Sequence, residues 1–284
     1  MKYGLLLLVL LSYKSIFSIT WEQMLTNNSF LLEKYNGHLL VKQLKLFQEN
    51  STPAISDIRI KTIPIIENGE ELVDIRVINH PRISMLPNPG RPFERPDCNS
   101  GFECASCIRL KVFEKLKAML IHLDALAANF GYESGLISIT VFEALRDIKT
   151  QEILFNNKRK EIKQANQAFD DAQLDAETSK WVSPVKDNIP VHSTGAAVDI
   201  RLSYNGTFID MGAFGAIWGA NPTAVTFSEN ITDTQKDNRL YLLLAATMAG
   251  LVNYSYEFWH FSTGDRYYYW QELPEKTACY NSVT

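Results

Sequence analysis

Residues 192–208 read HSTGAAVDIRLSYNGTF, and this stretch decides how the chain is interpreted. It opens with a histidine and a run of small residues, of which Gly195 lets the backbone approach another group closely. The segment later reaches Asn205-Gly206, the dipeptide most typical of a tight hairpin turn. We therefore predict a loop, a strand carrying Asp199, a turn and a second strand.

A second segment, YEFWH at residues 256–260, supplies a further histidine and a carboxylate. Catalytic zinc takes three protein ligands and leaves one position for water, so His192, Asp199 and His260 form a candidate ligand set. Glu257 could accept the proton of a metal-bound water. In a regular strand residues 257 and 260 point to opposite faces, so the hypothesis requires a bulge at Glu257 or a strand that starts after it.

Each of these residues also has a structural interpretation. A histidine in an aromatic strand is more often packed in a core, Asp199 could pair with Arg201, and Glu257 could be an exposed strand residue. The other histidines lack nearby carboxylates and small residues and are interpreted as structural: His38, His80 and His122. Only the combination of the two segments favours a metal site.

Composition and missing motifs exclude several function classes. Hydrophobic residues make up 46% and charged residues 21% of the 284, which is typical of a globular protein. The net charge of −4 and the lack of a basic run disfavour nucleic acid as a partner. The sequence contains no His-Glu-x-x-His motif, no Gly-x-Ser-x-Gly elbow and no glycine-rich phosphate loop.

The first residues resemble a secretory signal. Lys2 precedes a short apolar run, Leu5 to Leu11, and small residues follow at Ser15 and Ser18. The run is too short to span a bilayer, so we expect residues 1–18 to be removed on export rather than inserted in the membrane. A buried core helix is the alternative. Export predicts a periplasmic or extracellular location.

The cysteines are four: Cys98, Cys104, Cys107 and Cys279. In an exported chain an even number favours disulfides, with three possible connectivities. The alternative is a four-cysteine zinc site, which usually has two Cys-x-x-Cys pairs, and this sequence has one.

Helical and strand patterns are mixed along the chain without regular alternation. The strand-like segments are a hairpin around Asn68-Gly69, residues 135–146 and the aromatic residues 253–270. One helix is predicted to begin at the Thr20–Gln23 capping box, and further helices are predicted at residues 107–130, 148–175 and 233–252. This order favours an α+β fold, with a mostly antiparallel sheet that is flanked by helices and carries the zinc site. We predict a signal at 1–18, an N-terminal helical extension at 19–56 and a catalytic domain at 57–284.

The two metal segments resemble the signature of the D-alanyl-D-alanine dipeptidase family, zinc peptidases that share a fold with D-alanyl-D-alanine carboxypeptidases and the hedgehog domain. The resemblance runs from about residue 72 to 269. It implies one zinc ion bound by His192, Asp199 and His260, with Glu257 as general base and then acid. The segment VFEALRD resembles the family stretch that carries a catalytic arginine, here Arg146; the alternative is a salt bridge to Glu143 or Asp147.

Two positions depart from the family pattern. Pro190 stands where the family usually has a serine, and the segment after Asp210-Met211-Gly212 lacks the acid that receives the substrate ammonium. The first departure removes a hydroxyl, and the second predicts weaker recognition of a free N-terminus unless Asp210 substitutes.

The resemblance implies hydrolysis of a small peptide such as D-alanyl-D-alanine. Two alternatives stay open: a carboxypeptidase or endopeptidase acting on cell-wall stem peptides, and a non-catalytic, zinc-stabilised binding domain.

Overall fold

The computed structural model describes residues 19–35, 37–86, 106–212, 222–272 and 277–283. The predicted signal at residues 1–18 and two of the cysteines, Cys98 and Cys104, lie outside these ranges. The helices are α1 Trp21–Asn27, α2 Ser29–Lys34, α3 His38–Gln48, α4 Ile58–Lys61, α5 Ile75–Ile78, α6 Leu110–Leu126, α7 Ile148–Ala165, α8 Asp171–Thr178, α9 Asp233–Met248 and α10 Arg266–Glu272. The strands are β1 Leu72–Asp74, β2 Ile83–Met85, β3 Cys107–Arg109, β4 Ile137–Glu143, β5 Ala197–Tyr204, β6 Thr207–Phe208, β7 Val252–Tyr254 and β8 Glu257–Ser262.

The main sheet has the strand order β2-β4-β5-β8-β7, and β6 pairs with β5. β2 runs parallel to β4, and the other neighbouring strands of this sheet are antiparallel. β1 and β3 form a separate antiparallel pair. The predicted α+β class is confirmed, and the sheet is mixed because of the β2–β4 pair.

The register of the central strand determines where the polar side chains meet. β5 lies between β4 and β8, and Asp199 is opposite Glu143 on one side and His260 on the other. Two residues that are 61 positions apart are thereby placed side by side. The predicted hairpin after this strand is confirmed, with Asn205 and Gly206 in the left-handed conformation.

Helices α6 and α9 pack against each other, and each also contacts strands of the main sheet. Their apolar side chains recur at helical spacing and are fully buried, as at Val112, Leu116 and Leu240. Gly131 follows the turn after α6 with a φ of 77°, which confirms the predicted stop of this helix. The core therefore supports the sheet that carries the candidate site.

The N-terminal helices pack on the same core. The capping box of Thr20 and Gln23 begins α1 as the sequence predicts. Trp21 is fully buried: its Nε1–H donates to the Ser228 carbonyl at 2.9 Å, and its ring meets Phe227 edge-on. The division at residues 18 and 56 stays a prediction.

Two predicted strand segments have a different structure. Ile58–Lys61 forms a short helix because the Asp57 carboxylate accepts from the Arg59 backbone N–H at 2.9 Å and caps it, and β1 pairs with β3 instead of forming the predicted hairpin. The aromatic segment continues into α10 because Asp265 caps that helix through the Tyr268 N–H. No helix within the described ranges is long and apolar enough to cross a bilayer.

An ion pair joins Arg82, the residue before β2, to Asp124 in α6. The Arg82 guanidinium donates to both oxygens of Asp124, at 2.8 and 2.7 Å, and lowers the pKa of that carboxyl. A lowered pKa stabilises the fold above the unfolded pKa of about 3.9, and that stability is lost as the pH falls through the folded pKa. Asp124→Asn should remove the contribution of this carboxyl to the pH dependence of the free energy of unfolding. Urea unfolding from pH 2 to 6 measures it, and an unchanged profile would contradict the assignment.

Candidate metal centre

The loop that carries His192 is fixed at the end of β4. Residues 191–194 form a 3₁₀ turn, and Gly195 ends it with a φ of 72°. The Arg146 N–H donates to the His192 carbonyl at 3.1 Å, and the Ser193 hydroxyl donates to the Arg146 carbonyl at 2.7 Å. Arg109 holds the other side of the loop: its Nε–H donates to the Thr194 carbonyl at 2.9 Å. The histidine is therefore positioned by backbone contacts from two directions.

Three predicted ligand side chains meet at one point. His260 Nδ1 lies 3.0 Å from Asp199 Oδ1 and 3.1 Å from His192 Nε2, and His192 Nε2 lies 3.4 Å from Asp199 Oδ1. All three residues are buried. Nitrogen and oxygen atoms at about 2.0–2.1 Å from a tetrahedral ion are roughly 3.3–3.4 Å apart, so the triangle has the dimensions of a zinc ligand set.

The second nitrogen of His192 indicates which atom is available to a metal. Its Nδ1 lies 2.9 Å from the Ala144 carbonyl, which can only accept, so Nδ1 carries the hydrogen. In the neutral ring the Nε2 lone pair then faces His260 and Asp199. A cation between them would relieve the crowding of these lone pairs, and a carbonyl behind a ligand histidine is a common orienting contact in metal sites.

The charge state of the site also suits a cation. Burial opposes ionisation of Asp199, but the neighbouring His192 and His260 outweigh it and lower the pKa of this carboxyl below its ordinary value. Burial lowers the pKa of His260, despite its hydrogen bond to Asp199. The site thus favours a carboxylate beside a neutral imidazole, which is the state that metal ligands need.

Glu257 lies on the same side as the ligands because β8 is irregular. In the pairing of β7 with β8, Asn253 is opposite Phe261 but Tyr254 is opposite Glu257, so the register shifts between them. This is the bulge that the sequence required. Glu257 Oε2 lies 3.8 Å from His260 Nδ1, and the side chain is buried in the wall of the pocket.

Arg146 also lines this pocket, and it has the salt bridge that the sequence offered as an alternative. Its Nε–H donates to Glu143 at 2.9 Å, and its Nη1–H donates to Gln151 Oε1 at 2.9 Å. Gln151 in turn donates to the Ser183 carbonyl at 2.6 Å. The salt bridge and a role in the pocket are therefore compatible, since Glu143 and Gln151 orient the guanidinium.

The sequence did not identify Gln151 or Tyr254 as site residues. Both line the pocket, and Tyr254 donates to the Lys180 carbonyl at 3.0 Å, which fixes the segment that covers the site. Neither lies in a motif, and only the tertiary structure brings them to the site. Pro190, one of the two departures, lines the same pocket.

The two described cysteines lie apart from this centre. Cys107 is in β3, and Cys279 Sγ lies 3.1 Å from the Tyr269 hydroxyl. No disulfide joins these two residues. Because Cys98 and Cys104 lie outside the described ranges, disulfide pairing stays a prediction.

Gly195 gives a stability test of the ligand loop. A Cβ added there would lie 2.7 Å from Leu72 Cδ2, so the leucine would have to move, and the positive φ adds about 1–2 kcal/mol of strain. Gly195→Ala should destabilise the fold by about 1–3 kcal/mol in urea unfolding. Gly206→Ala is the matched control, because its φ is similar and no atom lies within 4 Å of the added Cβ. Equal losses would contradict the packing argument.

The Peptidase_M15 family model, described as D-ala-D-ala dipeptidase, matches residues 122–281. No curated protein matches the sequence. A solved structure, VanYB in complex with D-Alanine-D-Alanine, is similar at 18% identity over 62% of this chain and 82% of that chain, with a TM-score of 0.34. The matched family segment contains every residue of the predicted site: Arg146, His192, Asp199, Glu257 and His260.

Proposed function

The chain belongs to the D-ala-D-ala dipeptidase family of peptidases, and we propose on this premise that it is a zinc-dependent enzyme that hydrolyses D-alanyl-D-alanine or a similar short cell-wall peptide. The observation that carries the proposal is the triangle of His192 Nε2, Asp199 Oδ1 and His260 Nδ1, with sides of 3.0–3.4 Å. A buried carboxylate at Glu257 lies beside that triangle.

Zinc in this site would polarise the scissile carbonyl and lower the pKa of water to about 7. Glu257 Oε2 accepts the proton of the attacking water and then delivers it to the nitrogen of the leaving residue. Arg146, oriented by Glu143 and Gln151, stabilises the negative charge that develops on the carbonyl oxygen. His192 keeps its ligand nitrogen unprotonated because its other nitrogen donates to Ala144.

The preference for a free substrate ammonium is expected to be weak. The Asp210 carboxylate accepts from the Gln235 side chain at 2.9 Å and from the Gly212 N–H at 3.0 Å, so it already has partners. The residues that follow Gly212 lie outside the described ranges. We propose export to the periplasm or the cell exterior, where cell-wall peptides occur.

A substrate panel tests this function. The zinc-loaded protein should release D-alanine from D-alanyl-D-alanine, lose this activity with a chelator and regain it with zinc. N-acetyl-D-alanyl-D-alanine should be cleaved at a comparable rate if no acid receives the ammonium. A stem pentapeptide in the same panel tests the carboxypeptidase alternative. Binding of a cell-wall fragment without cleavage of any peptide would instead favour the binding-domain alternative.

A further inference from the structure

A large cavity adjoins the small pocket at the metal centre. The pocket that contains His192, Glu257 and His260 has a volume of about 30 Å³, whereas the neighbouring cavity has about 880 Å³. Ser179 and Lys180 line both. Small-molecule sites are typically about 300–1,000 Å³, so the larger cavity has room for the part of a peptide that extends beyond the metal centre.

The N-terminal segment and the α8 region form this cavity together. Its walls come from residues 47–61 on one side and residues 175–188 on the other, with Tyr256 between them. Tyr256 immediately precedes Glu257, and its hydroxyl donates to the Thr52 carbonyl at 3.0 Å. Tyr256 therefore connects the wall of the cavity to β8, the strand that carries Glu257 and His260.

Two of the lysines that line the cavity are not part of an ion pair among the described residues. Most of its ionic side chains form ion pairs: Arg59 with Asp57, Lys180 with Glu177, and Asp175 with Arg159. Lys61 and Lys186 also line the cavity, and neither forms an ion pair with any residue that the structure describes. In a chain with a net charge of −4, this places positive charge beside the active site.

We propose that this cavity binds the acidic part of a peptide that is longer than a dipeptide and whose scissile bond enters the pocket at the metal centre. The inference rests on the proposed function and specifies its substrate class. Lys61 and Lys186 attract a side-chain carboxylate of the substrate. Two exposed ion pairs of this kind change affinity by about tenfold together.

Two matched peptides test this specificity: Glu-Gly-D-Ala-D-Ala and Gln-Gly-D-Ala-D-Ala. The wild type should cleave the glutamate peptide with about tenfold higher kcat/KM. Lys61→Gln/Lys186→Gln should abolish the preference and leave D-alanyl-D-alanine hydrolysis unchanged. Lys111→Gln/Lys160→Gln is the control, because it removes the same charge at exposed helical positions outside the cavity. Equal rates for the two peptides, or a preference that survives in the first variant, would overturn the proposal.

The same peptides separate this proposal from the proposed function. Cleavage of D-alanyl-D-alanine but of neither tetrapeptide would refute the cavity proposal and leave the peptidase function intact. If the zinc-loaded protein cleaves neither D-alanyl-D-alanine nor the tetrapeptides, the peptidase function fails, and the specificity is then measured by binding. Tryptophan fluorescence should report it, because Trp181 contacts Tyr256 in the cavity wall at 6.3 Å between ring centroids. Tighter binding of the glutamate peptide that is lost in Lys61→Gln/Lys186→Gln would sustain the cavity proposal. Equal binding would refute it.

His260 Nε2 lies on the side of the imidazole ring opposite Nδ1, the atom that faces Asp199 and His192. His260 Nε2 is buried there without a hydrogen-bond partner within the described ranges, and the neighbouring Ser262 hydroxyl and Asp265 carboxyl interact with each other. Ser262 is two residues after His260 on the same strand, so both side chains project from one face. The Asp265 carboxyl interacts electrostatically with His260, and its other oxygen caps α10 through the Tyr268 N–H at 2.7 Å.

We infer that Asp265, with Ser262 as its neighbour, is a positioning residue for His260. An acceptor on this side keeps the hydrogen on His260 Nε2 and the lone pair on Nδ1, toward Asp199 and His192. Carboxylates behind ligand histidines generally strengthen metal binding in this way.

Asp265→Asn tests the positioning role, because asparagine has the same shape and still caps a helix. Its zinc affinity, measured by competition with a chelator, should be about 10–100-fold weaker than that of the wild type. Asp170→Asn is the matched control: Asp170 caps α8 through the Gln173 N–H at 2.8 Å, and it lines neither the pocket at the metal centre nor the neighbouring cavity. Asp170→Asn should keep the zinc affinity of the wild type.

Unchanged zinc affinity in folded Asp265→Asn would overturn the inference. Should Asp265→Asn fail to fold, Ser262→Ala provides the second measurement, since it removes the hydroxyl that interacts with Asp265 and leaves the cap through Tyr268 intact. Its zinc affinity should be several-fold weaker, and wild-type affinity would contradict the positioning role.

Discussion

Glu257→Gln should lower peptide turnover by at least about 10²–10⁴-fold while zinc remains bound at about one ion per chain. Glutamine keeps the volume and the hydrogen-bonding shape of the side chain but cannot accept the proton of water. Glu257 Oε2 lies 3.8 Å from a ligand nitrogen, and the bulge in β8 places it on the ligand side of the sheet. Steady-state kinetics and metal analysis on the same preparation measure both quantities.

The matched control for this variant is Glu133→Gln, which makes the same chemical change at an exposed position before β4. It should have wild-type kcat. Wild-type turnover in Glu257→Gln with zinc bound would show that another group is the base. Loss of zinc from Glu257→Gln would instead place Glu257 among the ligands.

Asp199→Ala and His260→Ala should each lose the metal and, with it, the zinc-dependent part of the stability. A ligand that binds only the folded state stabilises it by about 2.7 kcal/mol at 100 times its Kd. The wild type should therefore unfold at a higher urea concentration with zinc than with a chelator, whereas the two variants should show no difference. His38→Ala is the control: His38 is exposed and outside the site, so this variant should keep the zinc effect. Zinc-dependent stability in either ligand variant would contradict the assignment.

The local parts of the site were predictable from the sequence. Three local features of the sequence predicted parts of the site: the small residues after His192, the Asn-Gly turn after the following strand, and the segment EFWH. The proximity of Asp199 and His260 was not predictable, because it depends on the antiparallel register between β5 and β8. The bulge at Glu257 could be stated only as a requirement, and the structure contains it.

Long-range strand pairing and helix caps also explain why two strand predictions were wrong. Asn68-Gly69 is flanked by strand-like runs, yet one run is capped as a helix by Asp57 and the other pairs with β3. The aromatic segment after β8 has high strand propensity, but the cap at Asp265 makes α10 the lower-energy choice. Gln151, Tyr254 and Asp265 carry no motif, so only their buried positions in the structure connect them with the site.

Zinc titration of the metal-free protein tests the central claim most directly. Zinc is added stepwise while the hydrolysis of D-alanyl-D-alanine is followed in each sample. A single site formed by His192, Asp199 and His260 predicts that activity rises linearly and reaches its plateau at one zinc per chain. Full activity in protein that contains no zinc, or a plateau at a different ratio, would contradict the account.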